Sequence, residues 1–304
     1  MDDISIAIEA VKNGLPQVEC KLNEPLKNHT SFRVGGPVRV MFFPKKAEEL
    51  AELCGILSRS DIKPLIIGNG TNLLADDGKT LEIAAVKTTG IAFIKQTGET
   101  EITAGAGASL SKLASFARDC GLSGLEFAHG IPGTLGGSVL MNAGAYGREM
   151  KDAVISTNAF DYCSSYTLYS AEHRFEYRNS RFSETGEIIL SSTVSLQKED
   201  KEKITAKMDE LQERRKESQP LDLPSAGSTF KRPKNRYAAE LIDQAGLKGC
   251  SVGGAKVSEK HAGFIVNDGG ATFADIMAVI EHIRATVFKM FGVELEPEVK
   301  IIRG

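Results

Sequence analysis

Two glycine-dense stretches hold the residues best suited to binding chemistry. Residues 66–75 read IIGNGTNLLA, an apolar strand running into Gly68, Asn69 and Gly70. Glycines without side chains let backbone N–H groups converge on an anion, and Thr71 and Asn72 add side-chain donors just before Leu73. Residues 130–147 read GIPGTLGGSVLMNAGAYG, with six glycines among eighteen positions and almost no charge. A flexible linker is polar, whereas this stretch interleaves Ile131, Leu135, Val139, Leu140 and Met141. That composition suits a buried loop against which a large flat ligand and its phosphates pack. Together the two loops predict one extended dinucleotide ligand.

The commoner nucleotide loops do not fit. No GxxxxGK followed by Ser or Thr occurs. Gly105-Ala106-Gly107 lacks the third glycine of GxGxxG and an acidic residue at a fitting distance, so it reads as a turn. Cys20, Cys54, Cys120, Cys163 and Cys250 are widely spaced, odd in number and form no CxxC, and no two histidines stand as HxxxH. Neither a disulfide framework nor a metal site is expected. The net charge of −3 gives no basic stripe for nucleic acid, and no run of about 18 apolar residues exists to span a bilayer. The acidic start, Met1-Asp2-Asp3, is unlike a secretory signal, so a cytoplasmic protein is expected.

The elements that position these loops are legible in outline. The chain has 304 residues, 41 % hydrophobic and 25 % charged, enough for two or three folded modules. RVMFF at 39–43, closed by Pro44, and the apolar run at 64–67 read as strands. Leu50, Leu53, Cys54 and Leu57 stripe a helix over 47–57, and Leu113, Phe116 and Ala117 stripe another over 110–120. Strands follow at 153–159, 165–170 and 187–197. Composition shifts at Lys198 into a charged helix carrying Ile204, Met208 and Leu211, read as a solvated connection. Thr272 and Asp275 predict a capping box for a long helix whose buried stripe is Ile276, Val279, Ile280, Ile283 and Val287. A strand over 298–302 closes the chain. The expected organisation is an α+β module over 1–199, with subdomains about 1–92 and 93–199, then a smaller α+β domain over 200–304. The last strand, about 295–304, is expected to return to the first module.

In their order along the chain, NHTSFRVGG at 28–36, GNGTNLL and the GIPGTLGGSVLMNAGAYG loop resemble the FAD-binding module of the vanillyl-alcohol-oxidase type. With YRNSRF at 177–182, AGSTFKRP at 226–233, LID at 241–243, GLKG at 246–249, HAGFIVN at 261–267 and LEPEV at 295–299, they resemble the UDP-N-acetylenolpyruvoylglucosamine reductase family. The match runs from about residue 28 to residue 302. It implies an α+β fold: a two-subdomain FAD module followed by a smaller substrate-binding domain. The implied reaction uses non-covalent FAD and NADPH to reduce an enolpyruvyl ether on a UDP-amino sugar, in peptidoglycan precursor synthesis. A monomer is expected, although no residue pattern fixes the oligomeric state.

The resemblance also assigns residues. Arg33, Gly68 to Leu73, Gly130, Ile131, Pro132, Gly133, Gly136, Gly137, Ser138, Asn142, Ala143 and Gly144 would hold FAD. Arg178 would meet the substrate carboxylate, Ser228 would protonate the α-carbon, and Glu298 would assist both. Tyr177, Lys231, Arg232 and Lys248 would bind the rest of the substrate, its diphosphate falling to the cations. Members differ by an inserted loop that brings a tyrosine over the substrate. The interval of 50 positions from Arg178 to Ser228 (228 − 178) contains no tyrosine, which marks the short form. Two other readings share parts of this pattern. One is a flavoenzyme of the same fold oxidising a hydroxy acid or sugar lactone, and the other is an inactive nucleotide-binding protein.

Overall fold

The computed structural model describes residues 2–303. It divides into two compact units, each drawn from several stretches of sequence. The first comprises residues up to Leu22, Val40–Asn69 and Ile83–Glu213; the second comprises Asn23–Arg39, Gly70–Glu82 and the chain from Arg214 onward.

The first unit is built on two sheets. In one, the strands run in the order Glu19–Pro25, Pro37–Phe43, Leu81–Lys87, Leu65–Ile67, the last two being parallel. Helices Asp3–Gly14 and Ala47–Arg59 cover it, packing Val11, Leu50, Leu53 and Leu57 with Val40, Phe42, Ala84 and Val86. The other sheet has five antiparallel strands, ordered Ser165–Tyr169, Val154–Phe160, Ile188–Ser195, Glu101–Gly105, Ile94–Gln96. Its core includes Leu110, Leu113 and Ala117 of the helix Leu110–Asp119. The charged helix Lys201–Ser218 contributes Ile204 and Met208 to the same core, so its apolar stripe packs on this unit while the rest stays solvated.

Beside this second sheet lies a buried polar chain. His173 has no exposed surface; its ring lies 2.8 Å from the Ser170 carbonyl and 2.9 Å from Thr157 Oγ1, which in turn lies 2.8 Å from Ser192 Oγ. These partners fit a neutral ring that donates from Nδ1 to the carbonyl and accepts at Nε2. Burial holds the His173 pKa below its ordinary value. The unfolded chain therefore takes up a proton near pH ~6.5 while the folded one still resists it, so stability falls as pH drops through that range. The acid-side loss of melting temperature between about pH 7.5 and 5.5 is expected to be smaller in His173→Gln than in the parent. Equal losses in the two proteins would remove His173 from the acid response.

The second unit has a four-stranded sheet, ordered Ser225–Ser228, Phe264–Asn267, Ala255–Val257, Ser251–Val252. The helix Phe273–Phe291 packs on it through Ile276, Val279, Ile280, Ile283 and Val287. Its capping box forms as the sequence predicts: Thr272 Oγ1 accepts from Asp275 N–H at 3.2 Å, and the Asp275 carboxylate accepts from Thr272 N–H at 2.9 Å. Two early segments share this core. Phe32, Val34 and Leu74 are buried in it, and Asn267 Nδ2 donates to Phe32 O at 3.0 Å. Leu73–Ala75 pairs in parallel with Lys300–Ile302. The division thus departs from a single cut after residue 199: segments 23–39 and 70–82 belong with the C-terminal unit, and the start of the charged helix belongs with the first.

Candidate functional site

In the first unit, four backbone segments converge at the carboxyl ends of the parallel strands Leu65–Ile67 and Leu81–Lys87. A side chain on Gly68 would meet Thr134 Oγ1 at 2.2 Å, one on Gly107 would meet Thr88 O at 1.8 Å, and one on Gly136 would meet Ala106 Cβ at 3.0 Å. Asn69 Nδ2 donates to Pro132 O at 2.7 Å, tying the first glycine loop to the second. Gly105-Ala106-Gly107 is indeed a turn, and its glycine and alanine let the end of one strand and the second loop approach closely. Part of that loop is helical. Leu135–Leu140 forms a short helix with Gly136 against Ala106, a position where any larger residue would force the backbones apart.

This cradle fits a dinucleotide. Gly107 and Gly136 are buried where the segments meet, Gly68, Gly133 and Gly137 leave partly exposed backbone beside them, and Asn69 retains a carbonyl and one N–H. Among the described residues, Thr134 Oγ1 is buried without a hydrogen-bond partner, as is His129 Nδ1 just before Gly130. A buried hydroxyl or ring nitrogen left unpaired costs about 1–3 kcal/mol, and a bound polar ligand is one way to relieve it. Thr134 is absent from the sequence expectation, because a threonine among glycines carries no signal until its hydroxyl is seen over Gly68. Asn142 has no exposed surface, and its amide is engaged by Glu149, by Glu176 O and by Lys151 N–H. These bonds fix the shape of the loop at Asn142.

The far end of the second loop holds the turn that carries Arg178. Ser180 Oγ donates to Leu140 O at 2.7 Å, Asn142 Nδ2 donates to Glu176 O at 2.9 Å, and Arg178 itself donates to Gly144 O at 3.1 Å. Reciprocal backbone hydrogen bonds between Glu176 and Asn179 close the turn, leaving Arg178 at φ +55°. That left-handed conformation costs a residue with a side chain about 1–3 kcal/mol and tends to mark functional positions. Tyr177 is 44 % exposed, with the Arg178 guanidinium 5.2 Å from its ring centroid.

The second unit carries the other expected residues. Gly70 has φ +65°, and a side chain there would meet His29 O at 2.0 Å, so only glycine fits. Gly70 O accepts from Ser31 N–H at 3.1 Å, two residues before Arg33, which is exposed at φ +57°. Asn72 Nδ2 donates to Glu298 O at 3.1 Å. Glu298 N–H donates to Thr229 O at 2.8 Å and Lys231 N–H to Glu296 O at 2.9 Å, so the segment after Ser228 runs antiparallel to the segment holding Glu298. Ser228 is exposed beside a bulge in the edge strand, where Gly227 at φ +77° re-aims the chain. Lys231 pairs with Glu296 and Lys248 with Asp243, and Arg232 lies over the Tyr237 ring at 4.5 Å. Exposed pairs of this kind are worth about 0–1 kcal/mol, so these carboxylates hold the two lysines only weakly.

Among the described residues, no group of three or more His, Cys, Asp or Glu is placed to hold a metal ion, and all five cysteines are free. No helix of the described residues is long and apolar enough to cross a membrane.

Comparison with known proteins places this architecture. Residues 38–165 match the FAD binding domain family, and residues 219–302 match the C-terminal domain family of UDP-N-acetylenolpyruvoylglucosamine reductase. An alkyldihydroxyacetonephosphate synthase structure shares the fold alone, at 14 % identity and TM-score 0.50 over 64 % of this chain and 44 % of that one. The class is therefore an FAD-binding α+β protein of the vanillyl-alcohol-oxidase type. A UDP-N-acetylenolpyruvoylglucosamine reductase of Caldanaerobacter subterraneus subsp. tengcongensis is 49 % identical over 298 residues, covering 98 % of both chains. The crystal structure of the reductase of that name from Thermus caldophilus superposes with TM-score 0.80 at 33 % identity, covering 94 % of this chain and 98 % of that one. The chain belongs to the UDP-N-acetylenolpyruvoylglucosamine reductase family.

Proposed function

We propose that this chain reduces UDP-N-acetylglucosamine enolpyruvate to UDP-N-acetylmuramate, consuming NADPH, in peptidoglycan precursor synthesis. It is an FAD-dependent oxidoreductase. The observation that carries the residue assignment is the interlock of the Arg178 turn with the glycine loop through Leu140, Asn142 and Gly144. It ties the one arginine assigned to the substrate carboxylate to the loop assigned to the cofactor.

FAD would be held without a covalent bond by Arg33, Gly68 to Leu73, Gly130 to Gly133, Gly136 to Ser138 and Asn142 to Gly144, with Thr134 added to the expected set. When bound and reduced by NADPH, it would supply the hydride for the β-carbon of the enolpyruvyl double bond. Negative charge then grows at the α-carbon and its carboxylate. Arg178 forks onto that carboxylate, a match of planar donor and planar acceptor. Ser228 gives its hydroxyl proton to the α-carbon, so hydride and proton add across one C=C bond. Glu298 hydrogen-bonds the developing enol. Tyr177, Lys231, Arg232 and Lys248 bind the remainder of the substrate, the cations taking its diphosphate. The enzyme is of the short form, acts in the cytoplasm and works as a monomer.

The purified protein should show flavin absorbance that NADPH bleaches without oxygen and the enolpyruvyl sugar nucleotide restores. A colourless protein that FAD cannot reconstitute would overturn the flavin assignment. Reduced flavin that ignores the sugar nucleotide but reacts with a hydroxy acid or lactone product would move the chain to another oxidoreductase of this fold.

A further inference from the structure

One charged group in the first unit has no part in the reaction above. Lys87 ends the strand Leu81–Lys87, paired in parallel register with Ile67, the residue that leads into Gly68 and Asn69. Side chains of paired strand residues share a sheet face. Ala84 and Val86 point into the helix-covered core, so Lys87 lies on the opposite face with Ile67. Thr88, the next residue, is buried, with its hydroxyl donating to Ile67 O at 3.3 Å. The backbone that carries Lys87 is thereby fixed beside the first glycine loop. Lys87 is half-buried, and among the described residues its ammonium has no hydrogen-bond or ion-pair partner.

A half-buried ammonium without an acceptor is unfavourable, and burial draws its pKa down to about 8. In sheets with parallel strands, ligands gather at the carboxyl ends, which is where Lys87 and Gly68 both stand. We infer that Lys87 is a binding residue for the diphosphate of the dinucleotide, supplying the cation that the glycine loops, made of neutral donors, lack. The inference rests on the FAD assignment above and names a cation that offsets part of its central charge. The cost of the unpaired ammonium in the apoprotein is recovered when the anion binds.

The test titrates FAD into the apoproteins of the parent, Lys87→Met and Lys87→Arg, following flavin fluorescence and recording each apoprotein's melting temperature. Lys87→Met is expected to bind FAD about 10- to 100-fold more weakly, the usual worth of a charge-assisted contact, while Lys87→Arg stays within about 5-fold of the parent. The Lys87→Met apoprotein should melt at the parent's temperature or above, since a desolvated charge has been replaced by an apolar chain. ADP carries the diphosphate without the isoalloxazine; it should compete with FAD in the parent and lose the same factor in Lys87→Met. A parent that binds no flavin would refute the FAD assignment itself. Equal FAD affinity in parent and Lys87→Met would overturn the role of Lys87 alone. So would lost FAD affinity with ADP affinity unchanged, or affinity lost equally in Lys87→Arg with lowered apoprotein melting.

Discussion

Ser228→Ala should leave bleaching of the flavin by NADPH at the parent rate and slow its recovery on adding the enolpyruvyl sugar nucleotide by about 10²–10⁴-fold, the usual contribution of a positioned general acid. The expectation separates the two half-reactions because only the second needs a proton at carbon. A serine hydroxyl is a weak acid in water, so it serves only if held against a strongly basic carbon. The local backbone would leave Ser228 open to such contact. It is exposed, it follows Gly227 at φ +77°, and the bulge in the edge strand turns it out of the regular ladder. The next residue, Thr229, is buried and fastened on both sides: its N–H donates to Gly263 O and its carbonyl accepts from Glu298 N–H, each at 2.8 Å. Removing one hydroxyl from an exposed position disturbs none of this. Ser228→Cys, whose thiol is a stronger acid, should recover part of the lost rate. Recovery at the parent rate in Ser228→Ala would take the proton-donor role away from this residue.

The sequence carried the outlines of both the fold and the site, and its failures have physical causes. The long helix Phe273–Phe291 was legible because its cap and its stripe are local: four residues decide the start, and a period of 3.6 decides the buried face. The placement of segments 23–39 and 70–82 was not. The return of the last strand to the earlier part of the chain was expected, but Leu73–Ala75 is three residues long and no local pattern marks it as the partner of Lys300–Ile302. The helix Leu135–Leu140 was hidden for a different reason. Gly136 and Gly137 have poor helix propensity, yet the close approach to Ala106 selects glycine at 136 and tertiary packing overrides the preference. Site residues divide the same way. Gly68 and Gly70 were recognisable as loop glycines, whereas Thr134 and Lys87 are ordinary residues whose significance lies in an absent partner. The dense hydrogen bonding around Asn142 is likewise invisible before the turn at 176–179 is seen beside it.

Arg178→Ala should lower the rate of flavin recovery by the sugar nucleotide about 10²–10³-fold, the range seen when one donor to a developing oxyanion is removed. Unlike Ser228→Ala, it should also weaken substrate binding, because the carboxylate is charged before the reaction as well as during it. The backbone gives this comparison its meaning. Arg178 sits at φ +55°, a conformation that alanine or lysine would adopt at similar cost, and the turn is closed by backbone hydrogen bonds between Glu176 and Asn179 that no side chain supplies. Ser180 and Asn142 hold the turn from either side independently of the guanidinium. The loss therefore reports the guanidinium rather than a collapsed loop. Arg178→Lys should remain impaired: an ammonium cannot fork onto a carboxylate while also reaching Gly144 O. Guanidinium ion added to Arg178→Ala should restore part of the recovery rate without changing the rate of bleaching by NADPH. If Arg178→Ala binds the sugar nucleotide as tightly as the parent does, the carboxylate is held by some other cation and the assignment of Arg178 fails.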